Sequence, residues 1–179
     1  MIFRRWTWTG LIVSSLFWTG GCEFPPAPAD TIKPPFQADG YLHTDEFLTM
    51  VRALLPDGAR LVLPISGTGK HPVTFGDMDG DGVDEAVVVY EESLFTGREL
   101  KAALLKQQDR QWHIVSDLKG IGYDIDYAGF VDTDRDGNAE MILGWSLGAG
   151  VNGLDVYRWN NNALELVDNK GYYGKFKME

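Results

Sequence analysis

The chain repeats itself, and this internal repeat restricts its fold more than any other feature of the sequence. Residues 73–90 align with residues 128–145, 55 positions later, and both segments consist of an apolar run, an Asp/Gly-rich loop and a second apolar run. Residues 104–115 align with residues 156–167 at a spacing of 52, and both segments predict a β-hairpin. Repeats of this length are typical of folds in which each unit stacks on its neighbours. We therefore predict a mainly β fold.

Each unit is predicted to be an antiparallel, blade-like sheet, and the sequence holds two to three of them. A closed β-propeller needs at least about four blades of roughly 40 to 60 residues, so residues 59–179 are too few to close one. Two arrangements are then open. The sheets stack with a cap over an exposed end, as in solenoid proteins, or their edge strands pair with a partner, including a second copy of the chain.

One short helix is predicted within residues 41–58, ahead of the repeats. Phe47, Val51 and Leu55 follow helical spacing, and a Pro-Asp-Gly run ends the pattern. The apolar stripe suits packing on the sheets or binding to a membrane surface. Because Arg52 is the only Lys or Arg in this segment, we expect the helix to cap the sheets.

Both copies of the repeat carry the loop spacing Asp-x-Asp-x-Asp-Gly-x-x-Glu, in residues 77–85 and 132–140. Carboxylates at positions 1, 3 and 5 of a tight turn converge on one point, and Gly at position 6 permits the bend. The backbone carbonyl at position 7 and the acid at position 9 can complete an oxygen cage of the kind that Ca²⁺ prefers. The loops are not EF-hands, because Val88 and Leu143 stand at position 12. Acidic turns without an ion are the alternative interpretation.

These loops, each between two β-runs, resemble the FG-GAP/VCBS repeats, whose units form β-propeller blades with Ca²⁺ in an interstrand loop, as in integrin α-subunits. The likeness covers residues 60–179, with Phe75-Gly76 ahead of the first loop and Phe130-Val131 ahead of the second. Position 9 is Glu where the family usually has Asp. The resemblance implies two Ca²⁺ ions. Their implied ligands are Asp77, Asp79, Asp81, Val83 and Glu85 for one ion, and Asp132, Asp134, Asp136, Asn138 and Glu140 for the other.

The charge of the chain agrees with cation binding and argues against a nucleic-acid partner. Sixteen Lys and Arg residues stand against 26 Asp and Glu residues, which gives a net charge of −10 at pH 7. Phosphate backbones repel a chain with this excess of acid. Nine of the 26 acids lie in residues 77–85 and 132–140, where carboxylates so close together repel one another unless a cation is present.

The N-terminal segment predicts export to the bacterial cell envelope. Residues 1–21 combine two arginines, an uncharged apolar stretch and small residues at the end, which is typical of a signal peptide. Thr19-Gly20-Gly21-Cys22 resembles the lipobox of bacterial lipoproteins, which implies a lipid on Cys22 and an anchor on the extracytoplasmic side of a membrane. An ordinary secretory signal with an incidental cysteine is the alternative. Residues 22–40 are rich in Pro and predict an extended tether.

Catalytic residue patterns do not accompany the acidic loops. The three histidines and the single cysteine lack the spacing of a nucleophile and base or of a zinc site, so we predict that the chain is not an enzyme. We expect a non-catalytic binding or scaffold module with a protein or carbohydrate ligand. The alternative is a small envelope hydrolase or a carbohydrate-binding accessory protein. Six aromatic residues could form a carbohydrate surface, although alternating strand positions favour the core: Trp112, Trp145, Tyr157, Trp159, Tyr172 and Tyr173.

Overall fold

The repeats form two antiparallel β-sheets, preceded by one helix. The computed structural model describes residues 45–66, 71–95 and 97–176. Helix α1 spans Asp45–Leu54. The strands of sheet 1 are β1 (Arg60–Leu61), β2 (Val73–Gly76), β3 (Glu85–Leu94), β4 (Gly97–Gln108) and β5 (Gln111–Lys119). The strands of sheet 2 are β6 (Asp124–Val131), β7 (Glu140–Gly148), β8 (Val151–Asn160) and β9 (Ala163–Tyr173).

The two sheets correspond strand by strand. Neighbours along the chain pair antiparallel, in the order β3–β4–β5 in sheet 1 and β6–β7–β8–β9 in sheet 2. The other edge of β3 has two partners, because β2 pairs with its first residues and β1 pairs farther along it. Strands β1 and β2 together therefore take the place in sheet 1 that β6 takes in sheet 2.

The outer hairpins of the two sheets repeat in detail. Asp109 and Arg110 turn β4 into β5 with φ angles of 51° and 64°, and Asn161 and Asn162 turn β8 into β9 with φ angles of 49° and 59°. Two residues of positive φ match the twist of the flanking strands, which is why tight hairpins use this turn. Both hairpins also shift register at the equivalent position. The repeat is thus preserved in the backbone as well as in the sequence.

Sheet 1 is covered on both faces. On one face, α1 places Phe47 and Val51 in a core with Val88 of β3. On the other face, Val87 lies in a core shared with sheet 2, which includes the fully buried Trp145. A strand covered on both faces carries a continuous apolar run, in contrast to the alternating pattern of a strand with one wet face. This explains why β3 is buried without interruption over its first seven residues.

The outer face of sheet 2 is covered by aromatic side chains. The ring of Phe176, which follows β9, lies 4.6 Å from the ring of Tyr127 and 5.8 Å from that of Tyr172, between centroids. Asp126 holds this layer in place. It accepts hydrogen bonds from the Tyr172 hydroxyl at 2.6 Å, the Phe176 backbone N–H at 2.8 Å and the Ser66 hydroxyl at 2.7 Å. A carboxylate that is 3% exposed is therefore fully paired, as burial requires.

The predicted fold class is confirmed. The described residues are mainly β, with one short helix and two antiparallel sheets that close neither a barrel nor a propeller. Of the two arrangements that the sequence left open, the structure shows the capped stack, with α1 inside the predicted segment 41–58. Pairing of an edge strand with a partner stays a prediction. The signal peptide at 1–21, the lipid site at Cys22 and the tether at 22–40 lie outside the described residues.

Most of the candidate carbohydrate-binding aromatics belong to the interior. Trp145 is fully buried, Tyr157 and Trp159 pack against the same core, and Trp112 packs on Phe47. Tyr172 belongs to the aromatic layer described above. Tyr173 differs, because 84% of it is exposed. In the part of the chain that the structure describes, no helix is long and apolar enough to cross a bilayer.

Gly76 permits the close approach of the two sheets, and its substitution tests their stacking. A Cβ at position 76 would lie 2.7 Å from Cγ of Phe130 on β6, so the ring would have to move. We expect Gly76→Ala to lower the free energy of unfolding by about 1 to 3 kcal/mol, the usual cost of overpacking. Urea denaturation measures the change. Gly171→Ala on β9 is the matched control, because the atom nearest its added Cβ is 3.8 Å away; equal losses would contradict this packing.

Candidate metal centre

The two acidic loops connect equivalent strands at the same end of the sheets. Residues 77–84 join β2 to β3, and residues 132–139 join β6 to β7. Both loops pass through the left-handed conformation at their fourth residue, which is Gly80 with a φ of 74° in the first loop and Arg135 with a φ of 63° in the second. Glycine adopts this conformation freely, whereas a side chain makes it costly. The loop backbone is therefore retained even where the residue disfavours it.

The first Asp of each loop maintains the turn through hydrogen bonds to the backbone. Asp77 accepts bonds from the N–H groups of Gly80 at 2.8 Å and Gly82 at 3.0 Å. Asp132 accepts the two equivalent bonds at 2.7 and 3.1 Å. The acids at position 5 accept a bond from the N–H two residues farther on, as in an Asx-turn. The loops thus fix the positions of their own carboxylates.

Three carboxylates converge in each loop closely enough to hold one metal ion. In both groups, one oxygen from each acid lies within 4.8 Å of the other two. The first group contains Asp77, Asp79 and Glu85, and the second contains Asp132, Asp134 and Asp136. Six of the eight carboxylates predicted as ligands are therefore brought together in two groups of three.

The other predicted ligands lie close by but face elsewhere. Asp81 accepts the backbone N–H of Val83 with one oxygen, at 2.8 Å, and its other oxygen faces a lysine. The side chain of Val83 is exposed, in keeping with a residue predicted to contribute only its backbone carbonyl. The side chain of Asn138 lies against Gly80 of the first loop. Asp81 therefore uses both of its oxygens on other partners.

The position-9 acids, Glu85 and Glu140, are buried at the base of their loops. They are 2% and 0% exposed. Glu85 accepts the backbone N–H of Met78 at 2.9 Å, and Glu140 accepts the N–H and the hydroxyl of Thr133 at 2.8 and 2.6 Å. Each Glu is the first residue of its strand, so these bonds connect the start of the strand to the second residue of the loop.

A lysine from the neighbouring strand enters the first acidic cluster. Lys106 on β4 donates from Nζ to Asp79 at 2.6 Å, to Glu85 at 2.7 Å and to Asp81 at 3.2 Å. One ammonium group therefore contacts three of the loop carboxylates at once. Four acids against one lysine still leave a net negative charge in the cluster.

An arginine takes the same place in the second cluster. Arg158 on β8 donates from Nε and Nη2 to one oxygen of Glu140, at 3.0 and 2.9 Å, and it also donates to Asp134. Neither Arg158 nor Lys106 was predicted from the sequence. The signal was present, since the alignment at a spacing of 52 residues places the two basic side chains opposite each other.

Burial and pairing act in opposite directions on the charges of the first cluster. Burial raises the pKa of Glu85, and hydrogen bonds from Lys106 and Met78 offset only part of that rise. Burial alone would lower the pKa of Lys106, but hydrogen bonds to Asp79, Glu85 and Asp81 outweigh it and raise the pKa above its ordinary value. Lys106 is therefore a permanent cation at physiological pH.

The two loops also contact each other. The backbone N–H of Ala139 in the second loop donates to the carbonyl oxygen of Asp77 in the first, at 3.1 Å. A Cβ at Gly80 would lie 2.5 Å from Oδ1 of Asn138, so glycine is needed for this close approach. Because the loops share these contacts, a change in the conformation of one loop affects the hydrogen bonds and packing of the other.

The clusters can hold a hard metal ion. Their ligand atoms are carboxylate oxygens, which suit ions such as Ca²⁺, Mg²⁺ and Mn²⁺ rather than softer metals that prefer thiolate ligands. The converging groups already attract basic side chains, because Lys106 contacts Asp79 and Glu85, and Arg158 contacts Asp134. The residues present therefore fit a divalent ion bound through oxygen.

Replacing Lys106 tests how far the first cluster depends on its internal cation. Lys106→Met keeps an unbranched side chain and leaves the buried Glu85 without its ammonium partner. Breaking a buried ion pair costs about 3 to 5 kcal/mol. We expect about 1 to 3 kcal/mol here, measured as the free energy of unfolding in EDTA, because the side chain of Asp81 is 48% exposed and solvent screens part of the charge.

Lys170→Met is the matched control for this substitution. Lys170 pairs with Asp168 at 3.4 Å, and both side chains are more than half exposed. Exposed pairs contribute at most about 1 kcal/mol, so the control should be nearly neutral. A loss in Lys106→Met no larger than in the control would show that the acidic loop does not depend on Lys106.

Comparisons of the chain with protein-family models, with curated proteins and with solved structures gave no match. The resemblance to the FG-GAP/VCBS repeats therefore depends on the loop residues and on the internal repeat. Membership of that family stays a prediction. The geometry supports the coarser conclusion, that each of the two acidic clusters could hold a metal ion.

Proposed function

We propose that this protein is a lipid-anchored lipoprotein of the bacterial cell envelope whose folded body binds two Ca²⁺ ions and serves as a non-catalytic binding or scaffold module. One observation carries the proposal. Two loops, 55 residues apart, share a backbone conformation, and each brings three carboxylates within 4.8 Å of one another. The repeat of this convergence in two equivalent loops supports a bound cation at each, in competition with Lys106 and Arg158.

Calcium is the ion that best suits these clusters. Ca²⁺ takes six to eight oxygen ligands in flexible geometry, at about 2.3 to 2.6 Å. Asp77, Asp79 and Glu85 would hold the first ion, with Asp81 and the Val83 carbonyl within the same loop to complete the shell. Mg²⁺ demands a tighter octahedral shell and gives up water reluctantly. Carboxylates that the loop backbone holds in an irregular arrangement therefore favour Ca²⁺, which tolerates irregular geometry.

The internal basic side chains would set the affinity. The Lys106 ammonium has to move away from Asp79 and Glu85 before their oxygens can bind an ion, and Arg158 has to release Asp134 in the second loop. This competition weakens binding and places the sites among the extracellular calcium modules, with dissociation constants of about 10⁻⁴ to 10⁻³ M. Each bound ion would then stiffen its own loop at this end of the sheets.

A binding or scaffold role agrees better with these acids than catalysis does. A general acid needs a raised pKa and access to its substrate. Burial raises the pKa of Glu85, but that residue is 2% exposed and bonded to Lys106 and Met78, so a substrate cannot reach it. The more exposed acids, such as Asp134 and Asp136, belong to the converging group and are placed to chelate.

Calcium is expected to stabilise the body through both loops. At about 2 mM free Ca²⁺ and a Kd of about 0.1 mM, each site would add about 1.8 kcal/mol to the free energy of unfolding. Scanning calorimetry in Ca²⁺ and in EDTA should therefore give melting temperatures that differ by several degrees. Asp79→Asn and Asp134→Asn each remove one converging carboxylate with little change in shape, and each should abolish about half of the response.

Asp168→Asn on β9 is the control for these variants, because it removes an exposed carboxylate outside the loops. It should keep the full calcium response, and Mg²⁺ should stabilise the wild type less than Ca²⁺ does. Equal melting temperatures in Ca²⁺ and EDTA, together with no calorimetric binding at millimolar Ca²⁺, would show that the loops are acidic turns that bind no calcium.

Metabolic labelling tests the proposed anchor. In a bacterial host, labelled palmitate should enter the wild-type chain and should be absent from Cys22→Ala, because Cys22 is the only cysteine. One acyl chain gives marginal membrane binding, whereas two or more hold a protein firmly, so the variant should also leave the membrane fraction. Cys22→Ala that is labelled and retained like the wild type would show that the chain carries no lipid at this residue.

A further inference from the structure

The end of the sheets opposite the acidic loops carries exposed apolar side chains. Because successive strands reverse direction, the β3–β4 turn, the β5–β6 link and the β7–β8 turn all reach this end, and β9 finishes there. Six exposed large apolar residues define what we call the apolar end: Leu94, Phe95, Ile121, Tyr123, Leu147 and Tyr173.

These side chains project strongly. Phe95 is fully exposed, and the exposed fractions of Tyr123 and Ile121 are 78% and 57%. Single exposed apolar residues are common on soluble proteins, whereas a cluster of them on neighbouring loops marks a contact surface. A Cβ at Gly153 would lie 3.0 Å from Ile121 and 3.8 Å from Leu147, so these two side chains lie side by side over β8.

The apolar end is continuous across both sheets. The Arg98 guanidinium on β4 donates to the carbonyl oxygen of Tyr123, and the backbone N–H of Gly120 donates to the carbonyl oxygen of Leu100 at 2.7 Å. Leu94, the last residue of β3, lines the same surface hollow as Gly120. These contacts hold the loop tips of sheet 1 and sheet 2 together as one surface.

We infer that the apolar end docks the folded body onto the surface of a lipid bilayer, with its loop tips in the headgroup region. This inference rests on the proposed location at a membrane. The loop tips present exposed rings and aliphatic chains. A fluid bilayer accepts such tips without a complementary shape, and aromatic side chains favour its interface. A protein partner would need a matching cavity for each tip.

The distribution of charge points the same way. The acidic loops lie at the other end of strands of about ten residues, roughly 33 Å away, which is several Debye lengths of about 8 Å at physiological salt. At the apolar end, Arg98 pairs with Glu91 at 3.0 Å, and Lys119 pairs with Glu99 at 2.5 Å. These pairs offset part of the charge at this end and the acidic loops lie too far away to act on it, which favours a zwitterionic lipid surface bound mainly through apolar contact.

The anchor and the apolar end would have separate tasks. The predicted Pro-rich tether, residues 22–40, would extend by about 3.1 Å per residue, which is long enough for either end of the body to reach the membrane. The tether alone therefore leaves the orientation of the body open. Docking through the apolar end fixes it, with the proposed calcium loops facing away from the bilayer.

Site-specific fluorescence on the full chain tests this orientation. Phe95→Cys and Tyr123→Cys are labelled with an environment-sensitive bimane, and Leu166→Cys is the control, because Leu166 is also apolar and 55% exposed but lies on β9 away from this end. The wild-type chain gives the blank for Cys22. With phosphatidylcholine vesicles, the labels at 95 and 123 should shift to the blue and should be quenched by brominated lipid, and the label at 166 should not change.

A second pair of variants separates docking from anchoring. In the Phe95→Cys chain, Ile121→Asp should weaken docking of the label about tenfold, the usual effect of losing one large apolar contact, whereas Leu166→Asp should have no effect. The N-terminal segment is identical in these chains, so its failure to anchor would reduce all signals alike. Equal quenching at positions 95 and 166 overturns the inference. A blue shift without vesicles that grows with protein concentration also overturns it, because the occupant is then a second copy.

Discussion

Two stacked sheets have two outer faces, and covering both faces is the constraint on which the rest of this structure depends. A closed propeller solves the problem by packing its last blade on its first, which two units cannot do. Here α1 covers sheet 1, with Phe47 5.3 Å from the ring of Phe75 and 5.4 Å from that of Trp112. At the other side, Asp126 fixes Phe176 over sheet 2. Helix α1 thus covers the outer face of sheet 1, and Phe176 covers that of sheet 2.

The sequence predicts those parts of the fold that follow a period. The repeat spacing predicts two equivalent sheets, and the helical spacing of Phe47 and Val51 predicts the cap, as the structure shows. The aromatic cover over sheet 2 was not predictable, because its ring Phe176 follows the last strand and is held by one buried carboxylate. Lys106 was missed for a related reason. A lysine in a strand resembles any solvated residue until the register of β4 against β3 places it beside the loop.

The identity of the basic partner makes the two acidic clusters different. Lys106 is a point charge and is shared among the carboxylates of its loop, so Glu85 stays in the converging group. Arg158 donates from two nitrogens to one oxygen of Glu140 and also donates to Asp134, and Glu140 is not a member of the second converging group. Loops of nearly the same sequence thus present different carboxylates. The proposed calcium sites would therefore be similar in backbone and unequal in ligands.

The contrast between the two ends of the body follows from the repeat itself. Sheet 2 has four strands and sheet 1 has their equivalents, so each strand of one sheet runs in the same direction as its equivalent in the other. Every Asp/Gly loop consequently falls at one end, and every β3–β4 or β7–β8 turn falls at the other. The Asp/Gly loops of both units therefore place their acidic residues at the same end of the body. The β3–β4 and β7–β8 turns place exposed apolar residues at the opposite end. Repetition thus converts a local difference between two loops into an acidic end and an apolar end.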